Sequence, residues 1–465
     1  MLLADRRCGR RKMDIKELEN KLNSFDKNTR LDALKTLCEK VDKGEIKEIK
    51  KTNFVNLHCH TFFSFNAYGY SPEHIVWRAF REGLEAVGIV DFDTLDGVDE
   101  VLQSGRILGI RTSAGVESRV FVKEYSDKVI NSPKEPGIFY FEGIGFYKKP
   151  TPGSKADSIL SQMGTIAKQR NLTMIDRINN FLQDIKIDYD RDVLSLTPNG
   201  NATERHILAS LDRKAKEVFG KNLDNLVSFW SAKLGVEQEK ISSIIDNPPE
   251  LQEMMRSKLM KYGAVGYVKP ERGNFPALEE MIDMIKDTDA LPVSAWLDGT
   301  NEGEKNIKEF LQLMVEKGIA VLNIIPERNW NIRDKKEKEI KVKHLDEVIK
   351  IAEELDLPIV VGTEMNKYGQ RFIDDFTVPE LKPYLDCFRK GAFFVYGHTR
   401  MGQTFNKGYN SQWANGYLPT KREKNSFYTK VGKLMKPEYD YKDIKIKDNA
   451  KPDEIYKKIG DTIYL

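Results

Sequence analysis

Apolar and polar positions change their period several times along the chain. From about Met13 to Lys51 apolar residues recur at helical spacing inside a highly charged stretch (Ile15, Leu18, Leu22, then Leu31, Leu34, Leu37). This predicts surface helices packed on a larger body. From Thr52 the pattern alternates. Phe54–His60 predicts a strand. Ser71–Gly83 predicts a helix, with a capping serine, proline at the first helical position and a glycine stop. Ala86–Asp91 predicts a buried strand, Leu95–Leu108 a helix and Ile110–Val122 a third strand region. After an interruption the alternation resumes with helix Leu278–Asp287, strand Leu291–Trp296, helix Asn306–Lys317 and strand Ile319–Pro326. Helix Leu345–Leu355, strand Leu357–Thr363 and helix Val378–Lys390 follow. Such alternation specifies a parallel sheet covered by helices, open or closed, and a closed barrel is the expectation here. Beyond it, Phe393-Phe-Val-Tyr396 reads as one more strand-like run, ahead of His398 and Arg400. The stretch 401–465 is rich in tyrosine and lysine and is expected to wrap the barrel or meet another subunit.

Composition narrows the class. At 465 residues, with 40% hydrophobic and 31% charged positions, the chain is an ordinary globular sequence with room for a large core. Its 74 basic and 71 acidic residues nearly cancel, which argues against a general nucleic-acid-binding surface but leaves room for a local basic pocket. Cys8, Cys38, Cys59 and Cys387 form no CxxC pair, as expected of reduced thiols in a cytoplasmic protein. The basic start lacks the apolar centre of a signal peptide, and no run has the length of a membrane helix. The first twelve residues read as disordered, with Met13 an alternative start.

Candidate chemistry gathers at predicted strand ends. Two of the six histidines, His58 and His60, stand at i and i+2. In a strand such side chains share a face, and neutral imidazole ligates zinc, iron or manganese. Alone the pair is more often two hydrogen-bonded buried groups. Asp91, Asp93, Glu117 and Glu364 also fall at the C-terminal ends of apolar strands. In a parallel barrel those ends meet on the face where active sites form. A metal with an open position for water is the chemistry such a face supports.

Seven segments resemble, in order, the motifs of the PHP (polymerase and histidinol phosphatase) superfamily of metal-dependent phosphoesterases. Asn56-Leu-His-Cys-His-Thr-Phe-Phe-Ser64, Gly88-Ile-Val-Asp-Phe-Asp-Thr-Leu-Asp-Gly97 and Ala114-Gly-Val-Glu-Ser118 are similar to its first three motifs. Arg205-His-Ile-Leu-Ala209 resembles the Arg-Pro-His-Ile-Ala stretch of members with a helical insertion. Tyr262-Gly-Ala-Val-Gly-Tyr-Val-Lys-Pro270, Leu291-Pro-Val-Ser-Ala-Trp-Leu-Asp298 and Val361-Gly-Thr-Glu-Met-Asn366 match later landmarks. The resemblance covers about residues 52–370. It implies an α/β fold, a distorted (βα)₇ TIM-like barrel over 52–150 and 276–400. A helical insertion over 151–275 interrupts it, a charged helical segment (1–51) precedes it and an extension (401–465) follows.

The same resemblance implies the site. His58, His60, Glu117 and Glu364 would hold one metal. Glu117 would bridge to a second, with His206 and, at the fourth strand, Glu142. Phe65, Phe92 and Asn366 stand where the family has ligands of its third metal, so one or two divalent ions (Zn, Mn or Fe) are expected, with aromatic packing in place of the third. Asp91 and Asp93 would contact metal or hold His60 from behind. Asp93 or His398 would protonate a leaving group. Arg205, Arg328 and Arg400 would neutralise phosphate oxygens. Trp296 would stack on a base or sugar, or fill the space of a lost histidine. His74 and His344 read as surface residues. The implied activity is a metal-dependent phosphoesterase acting on a small phosphorylated metabolite, nucleotide or short oligonucleotide. No membrane or extended nucleic acid is expected as partner, and homo-oligomer formation is left open. A non-phosphate hydrolase or lyase, and a non-catalytic binding protein, are the competing readings.

Overall fold

The computed structural model describes residues 14–47, 50–220, 222–269 and 275–463. Cys8 and the alternative start at Met13 lie outside them. Seven strands form one sheet in chain order. They are β1 (Val55–Cys59), β2 (Ala86–Phe92), β3 (Arg111–Phe121), β4 (Ile138–Ile144), β5 (Leu291–Trp296), β6 (Val321–Ile324) and β7 (Ile359–Val361). The sheet nearly closes on itself. A bridge joins Cys59 to Glu364; the His60 N–H donates to the Glu364 carbonyl (2.8 Å) and the Glu364 N–H to the His58 carbonyl (2.9 Å).

The barrel is not wholly parallel. β4 runs antiparallel to both β3 and β5, while the other pairs are parallel. Residues 122–137 carry only one 3₁₀ turn, Lys123–Tyr125. With no crossover helix the chain returns alongside β3 in the opposite sense.

Helices α1 (Ile15–Lys21) and α2 (Lys27–Asp42) precede the barrel, and α3 (Pro72–Arg81) and α4 (Val98–Leu108) link its first strands. Between β4 and β5 lie α5 (Lys155–Leu182), α6 (Glu204–Phe219), α7 (Leu223–Leu234), α8 (Gln238–Ile244), α9 (Pro248–Leu259) and α10 (Leu278–Asp287). Helix α11 (Ile307–Lys317) leads to β6; α12 (Glu327–Trp330) and α13 (Lys335–Glu354) lead to β7. The chain ends in α14 (Leu385–Phe405), α15 (Gln412–Tyr417), α16 (Lys421–Leu434) and α17 (Pro452–Ile463). No helix among the described residues is long and apolar enough to cross a membrane.

Two apolar cores result. The larger joins the barrel strands to the surrounding helices, and the smaller unites Ile178, Leu182, Leu211, Trp230, Leu251 and Met255 within α5–α9. The 28-residue α5 belongs to both, contributing Ala156 and Met163 to the first and Met174, Ile178 and Leu182 to the second.

The strand expected at Phe393–Tyr396 is instead the middle of α14, and the helix expected over Val378–Lys390 begins only at Leu385. Helix α14 is buried through most of its length, so its apolar residues run on continuously as in a strand. It passes beneath the barrel, under the strand starts. A Cβ at Gly391 would collide with the Ile359 carbonyl, and one at Gly397 with the Tyr428 carbonyl of α16. Arg111, at the start of β3, stacks on Phe393 and Tyr396 of the same helix.

Two polar details carry measurable energy. Arg30 of α2 is 2% exposed and bridges Glu73 of α3 (3.0 Å) and Glu100 of α4 (2.6 Å). Burial, followed by the neighbouring Glu100, pushes the Glu73 carboxyl up to about 7 despite Arg30. In the insertion, the Thr203 N–H donates to Nδ1 of His206 (3.0 Å) at the start of α6. That bond uses the Nδ1 lone pair and leaves the proton of the neutral ring on Nε2. Burial holds His206 down at about 4.

Arg30→Met is expected to lower the unfolding free energy by about 3–5 kcal/mol, because it strands two buried carboxylates. Adding Glu73→Gln and Glu100→Gln should restore much of it in urea titrations. His206, neutral in the folded chain, takes up a proton more readily when unfolded. Its contribution is therefore complete above its ordinary value and lost as pH falls from about 6.5 towards 4. His206→Gln should flatten the pH dependence of stability across that window by up to about 3 kcal/mol.

Candidate metal centre

Strand geometry delivers the His-x-His pair to one point. His58 at the end of β1 and His60 just beyond it are 2% and 0% exposed. Glu117 arrives from β3. His58 Nε2 and His60 Nε2 stand 3.4 Å apart, Glu117 Oε2 is 3.3 Å from His60 Nε2 and 3.7 Å from His58 Nε2. Ligand atoms about 2.0–2.2 Å from a common tetrahedral centre lie about 3.3–3.6 Å from each other. Two of the three separations have that spacing and the third, 3.7 Å, lies just beyond it; this is the group that could hold a metal ion among the described residues.

The surrounding residues fix which nitrogen is bare. Ser64 donates its hydroxyl to Asp91 Oδ1 (2.6 Å), so its oxygen can accept from His60 Nδ1 (3.3 Å). A proton on Nδ1 leaves the Nε2 lone pair facing Glu117. Asp91 also accepts from the backbone and hydroxyl of Thr61 (2.7 Å each). It therefore orients His60 from behind and lies outside the close group. Phe92 stacks on the His60 ring at 4.5 Å and 15°. On the far side of His58, Nδ1 meets the Asn323 amide (2.8 Å) and Glu142 Oε1 (3.3 Å). Glu142 thus backs His58, its Oε2 buried without a hydrogen-bond partner.

Charge at this corner is strongly coupled. Burial works against a charged His58, but Glu142 and then Glu117 outweigh it and raise its pKa well above the ordinary imidazole value. Burial would raise Glu117, yet His58 and His60 hold it at about 2. Two carboxylates around buried imidazoles create a place that favours positive charge, the condition a divalent ion satisfies. The donor set and the spacing both fit such an ion.

The other expected residues distribute as follows. Glu364 lines the cleft, where its carboxylate pairs with Arg328 and receives Asn366 Nδ2 (3.4 Å). Glu364 and Met365 both have left-handed backbone (φ 63° and 46°), as does Asp93 (φ 55°). Non-glycine residues in this region store strain, here at the cleft. Asp93 lines the same wall, accepting from the Ser118 hydroxyl (2.6 Å), and burial raises its carboxyl above the usual value. His206 does not join the close group: its Nδ1 caps α6, and its ring meets Phe65 edge-on at 5.2 Å. His398 and Arg400 belong to α14 beneath the barrel, opposite the cleft. His398 Nδ1 accepts from the Tyr409 N–H (2.9 Å), while Arg400 reaches Gln403 and the Tyr439 carbonyl. A role for either at the cleft rested on reading a strand where a helix lies. Trp296 is fully buried in the floor, not at the rim. Arg205 lines the cleft and pairs with Glu253 (2.7 Å).

The cleft of about 380 Å³ lies between the barrel and the insertion. Arg119, Arg170, Arg256, Lys261, Tyr140 and Asn323 line it without having been singled out from the sequence. Arg119 was accessible to the same i, i+2 reasoning that joined the histidines, counted from Glu117. Asn323 was the lone polar residue of an apolar strand. The insertion cations carry no such signal, because a basic residue on a helix usually faces solvent.

No family model matches the chain. It is 34% identical over 71 residues to the error-prone DNA polymerase of Cutibacterium acnes and 35% identical over 66 residues to the 5'-3' exoribonuclease of Haemophilus influenzae. These segments are 15% and 14% of this chain, and only 6% and 23% of those proteins. An amidohydrolase from Chromobacterium violaceum, solved with bound sulfate and no metal, superposes with a TM-score of 0.45 at 15% identity. A Bifidobacterium adolescentis protein described as "a putative metal-dependent phosphoesterase" superposes with a TM-score of 0.43 at 20% identity. Each covers 72% of this chain and 96% of its own. The nearly closed sheet of seven strands, with a buried His58–His60–Glu117 corner, agrees with the barrel-like α/β fold that the motifs of the sequence imply.

Proposed function

We propose that the chain is a metal-dependent hydrolase of phosphoesters, acting on a small phosphorylated metabolite, a nucleotide or a short oligonucleotide. The observation that carries this reading is the convergence of His58, His60 and Glu117 at the foot of an arginine-walled cleft. A divalent ion (Zn, Mn or Fe) held by these three would supply Lewis acidity and lower the pKa of water towards neutrality. Each residue has a separate task. Ser64 and Asp91 fix the tautomer of His60, and Glu142 with Asn323 holds His58. Arg328 reaches the cleft beside Glu364 and can balance charge on non-bridging oxygens. Asp93, raised by burial and lining the cleft, is placed to hand a proton to the leaving oxygen. The cleft volume suits a small ligand, not a long polymer.

One ion has three well-spaced donors. A second would draw on the other oxygen of Glu117 and on Glu364, which Arg328 holds. Aromatic rings at Phe65 and Phe92 remove the donors of a third. Elemental analysis of protein purified without chelator is expected to give one or two ions per chain; three would overturn this assignment.

His60→Ala should empty the site and reduce hydrolysis of p-nitrophenyl phosphate to the level of chelator-treated protein. Unchanged metal content and activity would establish the non-catalytic reading instead, and turnover of amides or lactones without phosphoesters would establish another hydrolase. Glu142→Gln should weaken metal binding by about 10–100-fold while leaving the fold intact, measured by competition with a chromogenic chelator.

A further inference from the structure

Five arginines line the cleft, and four have carboxylate partners: Arg119 with Glu135, Arg205 with Glu253, Arg256 with Glu204 and Arg328 with Glu364. Arg170 of α5 has neither an ion pair nor a hydrogen bond among the described residues. It lies over the Phe275 ring, 5.1 Å from the centroid, and Arg119 lies over the same ring at 4.8 Å. Two guanidinium groups therefore share one phenyl ring. The carboxylate paired with Arg119, Glu135, also accepts from Ser132 (2.5 Å) and Tyr267 (3.3 Å). Asp93 is near enough to feel Arg170 but is not ion-paired with it, and the Ser118 hydroxyl occupies its Oδ1. Burial and the charge of Arg119 bring Arg170 down to about 10, whereas Tyr140 and Glu135 keep Arg119 above the ordinary guanidinium value despite its burial, so Arg170 is the under-compensated member of the pair.

Strand register places this pair relative to the metal corner. On the antiparallel β3–β4 ladder Glu117 stands opposite Glu142, and Arg119 opposite Tyr140. Glu117 and Arg119 share a face, about 7 Å apart along the strand. An acidic row thus sits one step below an Arg–Tyr row that is nearer the C-terminal end of β3.

We infer that Arg119 and Arg170, gathered on Phe275, form a second anion subsite in the same cleft, so that the substrate carries a phosphate or carboxylate besides the phosphoester being cleaved. The word substrate rests on the proposed hydrolase reading. The binding site itself rests only on the arginine geometry. A planar guanidinium offers paired donors to either anion, and among the described residues none of the Arg170 donors is taken.

Calorimetric titration of the metal-stripped full-length protein with inorganic phosphate tests the subsite apart from catalysis. Arg170→Ala and Arg170→Gln should each weaken phosphate binding by about tenfold or more, with Arg170→Lys intermediate because it keeps the charge and loses the fork. His60→Ala should leave the affinity within about twofold. Malonate in place of phosphate tells whether the site prefers a carboxylate. Unchanged affinity in Arg170→Gln overturns the inference, as does an equal loss in His60→Ala or the absence of phosphate binding by the unmodified protein. Arg170→Lys, retaining the cation, guards against a fold defect in the other two. A chain that hydrolyses no phosphoester but shows this binding pattern refutes the hydrolase reading alone. One that hydrolyses fructose 1,6-bisphosphate with a KM indifferent to Arg170→Gln refutes the subsite alone.

Discussion

Glu117 and Glu142 face each other across the β3–β4 ladder, with the His58 ring flanked by both at the foot of the cleft. Burial works against an ionised Glu117, and the neighbouring imidazoles outweigh it. Imidazole protons answer the demand in the isolated chain; a divalent ion answers it better, bringing two charges to one point. The rest of the corner follows from this requirement. Asp91, Ser64 and Thr61 form a shell of donors and acceptors that keeps the His60 lone pair turned inward. The antiparallel turn of β4 belongs to the same arrangement, because the resulting register sets Glu142 directly opposite Glu117.

Aromatic side chains border the corner. Phe92 stacks on His60 and Phe65 meets His206 edge-on, and both phenyl rings line the cleft. Apolar rings beside the imidazoles lower the local dielectric and strengthen the remaining charges.

Much of this was legible in the sequence because strand periodicity has only two faces. Alternation put His58 and His60 on one strand face and strand ends brought Glu117 to the same cleft, while their meeting at one point was implied by the motif resemblance. Glu364 was legible as a cleft residue from its strand end as well, though not its capture by Arg328. What stayed hidden depended on hydrogen-bond partners or on unrecognised burial. Whether His206 ligates or caps is decided by one lone pair, taken by the Thr203 N–H three residues earlier. His398 was misplaced because a helix buried through most of its length has the same continuous apolar run as an interior strand. Arg170 was silent because nothing local separates an inward-facing basic residue on a long amphipathic helix from a solvated one.

Helix α5 is rooted in the barrel at one end and in the smaller core at the other. Its 28 residues amount to a rod of about 42 Å, and Arg170 sits near the middle. The cleft therefore has one wall anchored in a large core and another tied to a small one. Small cores open at lower free-energy cost than large ones. Partial melting of the insertion would withdraw the cationic wall while the histidine corner, held by the barrel, kept its shape. On the proposed function, recognition of the ligand and retention of a metal fall to structural units of unequal durability.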